Sequence, residues 1–266
     1  YQPATPEKSN RHSFRPSEVT SGYLEWPKLV ELCAEAPSNG LMEKRGGALI
    51  DIDRAALEKR IRPYYDPTVD WEALRALGTG LTEDAARFEA QKARVKVLAA
   101  ETYDPNHLRR YALRPFETRW CYYSATRPLW NEPRPTLWAQ CWEGNRFFLT
   151  RFKAASDKDG IPYFYTMNLS DDHFLSPDAV AIPLRLRGTG RVGPQATMLD
   201  LPGSAIDHAP TANLSPATRA YLETLGIADP DADAVEVEGR SVERPYELIW
   251  MHALAIGYSP AYLAEN

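Results

Sequence analysis

Three arginine–proline steps, Arg114-Pro115, Arg127-Pro128 and Arg134-Pro135, fall inside residues 111–136. A residue before proline is pushed out of the helical region and proline fixes its own φ, so this stretch cannot run as one helix. Arg119 is the fourth arginine, and Tyr111, Phe116, Trp120, Tyr122, Tyr123 and Trp130 fill the intervals. The mixture reads as a rigid, partly extended surface that offers planar cations and aromatic faces together. Arginine grips phosphate or guanine edges while aromatic rings stack on bases or fill grooves, so the stretch suits a nucleic-acid reader. The alternative is an arginine- and tryptophan-rich core strand whose charges are satisfied internally.

Charge distribution bears on that choice. The 266-residue chain carries a formal charge of −5, against the basic footprint usual in nucleic-acid binding. Residues 107–153 nevertheless hold Arg109, Arg110, Arg114, Arg119, Arg127, Arg134, Arg146, Arg151 and Lys153 against only Glu117, Glu132 and Glu143. The positive charge is concentrated, as a docking face requires. A hydrophobic fraction of 44% with 25% charged residues is ordinary for a globular protein, and no apolar run approaches a membrane span. Cys33, Cys121 and Cys141 lack CxxC spacing, which argues against a disulfide framework or zinc ribbon and fits a reducing cytoplasm. Position 1 is Tyr, and the chain is expected to be a piece of a longer polypeptide.

The pattern along the chain implies an α+β fold in three parts. Residues 1–24, polar and proline-containing, read as a linker or extended entry segment. Residues 25–104 read as a helical spacer, with helices over 25–36, from an Asp53 cap through Leu57 and Ile61 to just before Pro63, over 70–77, and over 82–100. Near residue 105 the texture changes to short β-leaning runs, giving a strand-rich module over 105–266 with C-terminal helices. Strands are expected at 119–123, 137–141, 146–151, 163–167 and 179–186, and loops at 187–212 and 229–239. Ser215-Pro216 starts a helix through Leu225, Tyr246–Ile256 forms another, and Ser259-Pro260 opens a last one.

No self-contained catalytic centre is visible. The Asp/Asn/Ser-Pro-Pro-aromatic tetrapeptide of amino-methyltransferases, a P-loop and a glycine-rich cofactor loop are all missing from the sequence. Asp171-Asp172-His173 is the best metal-like cluster, but adjacent residues rarely all face one ion, and a capped loop explains them as well. Catalytic and metal residues are therefore expected to be none.

Tyr111-x-x-Arg114-Pro115-Phe116-Glu117-x-Arg119-Trp120-x-Tyr122-Tyr123 resembles the Y-x-x-RPFD-x-R-W-x-Y-Y signature in the C-terminal specificity region of type ISP restriction-modification enzymes. These are single chains joining nuclease, translocase, methyltransferase and target recognition. Arg134-Pro135, Gly144-Asn145, Ser170-Asp171-Asp172-His173, Ala181-Ile182-Pro183-Leu184, Asn213-Leu214-Ser215-Pro216 and Tyr258-Ser259-Pro260-Ala261-Tyr262 are similar to further family pieces, in the family's order. Glu117 stands where the family has Asp, and Gly257-Tyr258 where His is common.

The resemblance implies a bacterial-defence module that reads double-stranded DNA for an adenine methyltransferase domain lying N-terminal in the same cytoplasmic polypeptide. It implies no cofactor in this fragment, with S-adenosylmethionine, ATP and Mg2+ belonging to the parent. Arg127, Arg134, Arg146, Arg151, Lys153 and Tyr123 are the expected DNA contacts, and loops 124–136, 153–162 and 187–212 the variable readers. Tyr111, Arg114, Pro115, Phe116, Glu117, Arg119, Trp120 and Tyr122 are expected to be framework, with Arg114 and Arg119 buried and ion-paired and Glu117 as a partner. The competing class is a protein-interaction or coupling domain within the same enzyme.

Overall fold

The computed structural model describes residues 27–35, 37–152, 161–176, 178–187 and 209–265. The expected linker 1–24, Lys153 and most of loops 153–162 and 187–212 lie outside the described residues.

In chain order, a 3-10 turn at Leu29–Leu32 precedes β1 (Ser38–Asn39), β2 (Ile50–Asp51), α1 (Arg54–Tyr65), α2 (Trp71–Arg75) and α3 (Ala90–Ala100). Then come β3 (Leu108–Arg114), β4 (Glu117–Tyr122), α4 (Pro135–Ala139), β5 (Phe147–Thr150), β6 (Phe164–Thr166), β7 (Leu169–Ser170), β8 (Val180–Pro183) and β9 (Arg185–Leu186). The remainder is β10 (Thr211–Ala212), α5 (Pro216–Thr224), β11 (Ala234–Val237), β12 (Arg240–Glu243), α6 (Leu248–Gly257) and α7 (Pro260–Glu265). The α+β class holds, with C-terminal helices after a strand-rich middle.

The local signals that set helix starts act as expected. Asp53 accepts from the Ala55 amide, Asp70 from Ala73 and Ser215 from Thr218, each satisfying an otherwise orphaned N–H. Helix α1 runs through Pro63 instead of stopping before it, and its last two residues, Tyr64 and Tyr65, are buried. The expected 82–100 helix starts only at Ala90, whose amide is taken by Asp84. Of the expected 25–36 helix, the described residues hold a 3-10 turn at Leu29–Leu32. The expected 137–141 strand is helix α4, begun by Pro135 in the first turn. Strand β3 and the β11–β12 hairpin, in the stretch read as an acidic loop, were not foreseen.

Two four-stranded sheets carry the architecture. One has the order β2-β4-β3-β7, antiparallel except for the parallel β3–β7 pair. The other, β1-β8-β5-β6, is antiparallel throughout. Its central strands, Phe147-Phe148-Leu149-Thr150 and Val180-Ala181-Ile182-Pro183, are buried at every position, the mark of a sheet covered on both faces. Alternation sends Phe147, Leu149 and Ala181 into one core with Tyr111, Trp130, Leu57 and Ile61. Phe148, Ile182 and Leu184 enter a second core with Leu222, Tyr246 and Trp250 of the C-terminal part. The first core and the β2–β4 pairing join residues on both sides of position 105, so segments 25–104 and 105–266 share a sheet and a core.

Asn213, fully buried, ties the ends of the module together. Its Oδ1 accepts from the Ala34 and Glu35 amides at 3.0 Å each, and its Nδ2 donates to the Pro183 carbonyl at 2.8 Å. The Asn-Leu-Ser-Pro stretch is thus a clip followed by a helix cap.

Phe148 is 0% exposed and its ring lies 5.4 Å from that of Trp250. Phe148→Ala is expected to lower the unfolding free energy by about 3–5 kcal/mol in urea denaturation, the range for an aromatic lost from a packed core. A loss below about 1 kcal/mol would contradict a second core organised on β5.

Candidate nucleic-acid interface

Tyr111 and Arg114 lie three residues apart on β3, and both reach one carboxylate. The Tyr111 hydroxyl donates to Asp171 Oδ2 at 2.8 Å and Arg114 Nη1 to Asp171 Oδ1 at 2.8 Å. The His173 amide adds a third bond at 2.9 Å. The Asp171 backbone is held as well, its amide donating to the Ala112 carbonyl at 3.0 Å beside the parallel β3–β7 pair. Burial, together with the Asp171 charge, holds the Tyr111 hydroxyl far above the usual tyrosine pKa, so it stays a donor. Gly40 passes so close that a Cβ there would sit 2.4 Å from the Asp171 carbonyl group, and only glycine fits. Asp171-Asp172-His173 is therefore a structural hub. Asp172, 3.7 Å from His173, has its carboxyl pKa raised chiefly by burial. Among the described residues no group of three or more His, Cys, Asp or Glu side chains is placed to hold a metal. Burial pushes the Cys33 thiol up to about 12 and the Cys121 thiol up as well, leaving neither a ready thiolate.

The remaining arginines separate by partner. Arg119 pairs with Glu117 through Nε at 2.7 Å, whereas Arg114 uses Asp171 and not Glu117. Both are ion-paired as expected, but neither is buried: the Arg114 side chain is 47% exposed and the Arg119 side chain 38%. Arg127 bonds Glu132 at 2.6 Å and Arg134 approaches the same carboxylate at 3.6 Å. Arg146, expected at DNA, is instead a strut in the protein. Its side chain is 19% exposed, with Nη1 3.4 Å from the buried Glu247, which also takes Arg244 and the Tyr165 hydroxyl. The Gly144-Asn145 turn supports it: Asn145 bonds the Gln140 and Arg185 carbonyls and the Arg146 and Arg185 amides. Arg151 donates to the Ser176 carbonyl at 2.8 Å on the surface.

Two expectations reverse. Tyr123, expected to touch DNA, is 1% exposed and stacks on Trp138 with ring centroids 3.9 Å apart, so it is core. Phe116, expected to be framework, is 98% exposed at the β3–β4 turn. Segment 124–136, expected to be a reading loop, is largely pinned. Leu129 and Trp130 are fully buried, the Trp130 indole donates to the Tyr122 carbonyl, and Glu101 holds Ser124 and Thr126.

What stays available is a set of cations that sequence reading did not single out. Arg54 and Arg110 lie over the half-buried Trp120 ring at 5.3 and 5.1 Å, and Arg109 over Trp138 at 5.8 Å. All three are exposed, and none has a carboxylate within ion-pair distance among the described residues. An aromatic face orients a guanidinium without neutralising it, leaving its charge for an outside anion. The signal was the Arg109-Arg110 doublet beside Trp120, hidden because β3 itself went unrecognised.

The family model described as the Type ISP C-terminal specificity domain matches residues 35–252, a span through both sheets and both cores. The chain belongs to this family. No curated protein matches it in sequence. Among solved structures, this specificity domain is similar to a chain in the cryo-electron-microscopy structure of the DrdV–DNA complex, with TM-score 0.54 and 12% identity over 98% of this chain and 24% of that one. It also matches a nuclease-deletion mutant of the Type ISP restriction-modification enzyme LlaGI in complex with a DNA substrate mimic. There the TM-score is 0.48 and the identity 13%, over 85% of this chain and 21% of that one. The specificity domain thus spans under a quarter of the length of these relatives.

Removing the hub carboxylate strands a buried hydroxyl and a guanidinium together. Asp171→Ala is expected to cost about 3 kcal/mol or more, and Arg114→Ala, a half-exposed partner, about 1 kcal/mol. Thermal and urea denaturation of both variants check the order; equal losses would contradict Asp171 as the hub.

Proposed function

We propose that this chain reads duplex DNA sequence for a restriction-modification adenine methyltransferase and positions that duplex for a catalytic domain N-terminal to it in the same polypeptide. The observation that carries the reading is the match to a specificity-domain family across residues 35–252. The solved structures it resembles are DNA complexes by their descriptions. The chemistry of the chain is consistent with that division of labour. Two of its charged clusters are spent on structure, with Asp171 accepting from Tyr111 and Arg114 and Glu247 ion-paired with Arg146 and Arg244. Reading needs clamps that fix register on the phosphates and a few side chains at base edges, and neither task calls for a nucleophile or a metal. S-adenosylmethionine, ATP and Mg2+ are cofactors of the parent enzyme in this reading and have no part within this module. No helix among the described residues is long and apolar enough to cross a membrane.

Arg54, Arg109 and Arg110 are the primary phosphate clamps in this scheme. Arg127 joins them readily, because a surface pair such as Arg127–Glu132 is worth little and exchanges its carboxylate for a phosphate. Arg151 remains a contact from the neighbouring sheet. Arg134 is less available, its side chain being 31% exposed beside Glu132.

Fluorescence anisotropy of a labelled duplex across a salt series tests the reading. Log affinity is expected to fall linearly with log salt, and Arg110→Ala to lower affinity and reduce the slope by about 1. Arg146→Ala is expected to lower the melting temperature and leave the slope unchanged. No binding at low salt by the folded chain would refute the proposal.

A further inference from the structure

Pro115 and Phe116 form the two-residue turn between β3 and β4. Phe116 has φ +64, a left-handed conformation that a bulky aromatic rarely adopts, and follows a proline whose φ is fixed near −65°. A positive φ one residue after proline is the type II arrangement, which calls for Gly or Asn at the second position. The ring gains little from the fold in return. It is 98% exposed, and its ring contact is an edge-to-face approach to Phe164 at 6.1 Å. For folding, Phe116 is the wrong residue twice over, in backbone conformation and in exposed apolar surface. Sites where local rules fail without compensation in the fold are where function is found.

Ion pairs flank the turn: Arg114–Asp171 ties its first strand to the loop after β7, Arg119–Glu117 lies along its second, and the register shifts between Ala112 and Arg114. Beside it, a pocket of about 410 Å3 has Lys44, Arg114, Arg119 and His173 on its walls together with bare backbone at Gly46 and Gly47. Lys44 is exposed, at φ +58, and has no carboxylate within ion-pair distance among the described residues. The acids on that pocket are already engaged: Glu43 accepts from the Arg45, Gly47 and Leu49 amides, and Asp171 serves the hub. Arg114 and Arg119 on that pocket are paired with Asp171 and Glu117, so Lys44 is its cation without a carboxylate partner among the described residues, and an exposed ring at the end of the strands that line it suits a nucleic acid, which offers stacked apolar faces beside phosphates. A protein surface would more simply be met by an apolar patch.

We infer that Phe116 is an apolar wedge that packs against or between base pairs of the bound duplex, with Lys44 and the adjoining pocket taking the neighbouring phosphate. This rests on the reading of the chain as a DNA specificity module and assigns its family-signature hairpin a direct DNA contact. A wedge on stacked bases discriminates little between sequences, so it serves modules with different targets alike.

The test uses the full chain with a fluorescein-labelled mixed-sequence duplex. Phe116→Ala is expected to weaken binding roughly tenfold without changing the salt slope, because a phenyl ring releases no counterions. Phe116→Gly is expected to weaken binding equally while leaving the melting temperature unchanged or raising it, since glycine relieves the backbone. Benzoylphenylalanine at position 116 is expected to cross-link to the duplex, and at Tyr221, an exposed control on α5, not to. Salt-sensitive binding with neither loss in Phe116→Ala nor a cross-link at 116 overturns the inference and leaves the specificity-module reading standing. A melting temperature several degrees lower in Phe116→Gly assigns the ring to the fold and also overturns it. Failure of the unmodified chain to bind duplex at all refutes the specificity-module reading, and the wedge with it.

Discussion

The Asp171 carboxylate fixes most of what surrounds it. It accepts from Tyr111 and Arg114 on one strand and from its own loop, while its backbone continues the β3–β7 pairing and lies against Gly40. Several distant segments therefore meet at one negative charge that water cannot freely solvate. A buried carboxylate is tolerable only when its lone pairs are filled, so these contacts are mutually required. The spacing Tyr-x-x-Arg follows from this arrangement: a strand end reaches the same acid first with a hydroxyl and then, past the register shift, with a guanidinium.

A formal charge of −5 also hides how differently the arginines are used. Net charge averages over arginines that do different work. Arg146 and Arg119 are matched to acids, and Arg45 and Arg94 spend their donors on backbone carbonyls in the interior. Arg54, Arg109 and Arg110 instead rest on aromatic rings. A ring supplies orientation and some attraction but no countercharge, so these three guanidinium groups keep their charge at the surface.

Legibility in the sequence followed the range of the interaction responsible. Asp53, Asp70 and Ser215 were readable as helix starts because a cap acts over two or three residues. Residues 137–141 were not, because a short apolar run looks alike as strand or helix, and Pro135 decided it from outside the run. The two-residue strands β1, β2, β7, β9 and β10 exist only through partners far along the chain. The site suffered the same limit. An Arg/aromatic stretch could be recognised, but which side chains faced outward depended on pairing in β3, so Tyr123, read as a surface contact, is buried and Phe116, read as framework, is exposed. The family resemblance located the module and pointed to Glu117 as a partner of Arg114 and Arg119, whereas Arg114 is held by Asp171 from another segment.

An apparent conflict in the signature stretch resolves on these terms. Residues shared by modules that read different sequences cannot be the ones that discriminate bases, which argued for framework at the signature positions from Tyr111 to Tyr122. Full exposure and a strained backbone at Phe116 argue against framework at that one position. Both arguments hold if contact with DNA and discrimination between sequences are separate tasks. Deforming or bracing a base stack draws on a feature every duplex has, whereas reading base edges draws on what differs. In the wedge reading, a hairpin held at Asp171 and tipped by Phe116 serves the first task. Discrimination then falls to side chains elsewhere, whose geometry is free to vary without disturbing the hub.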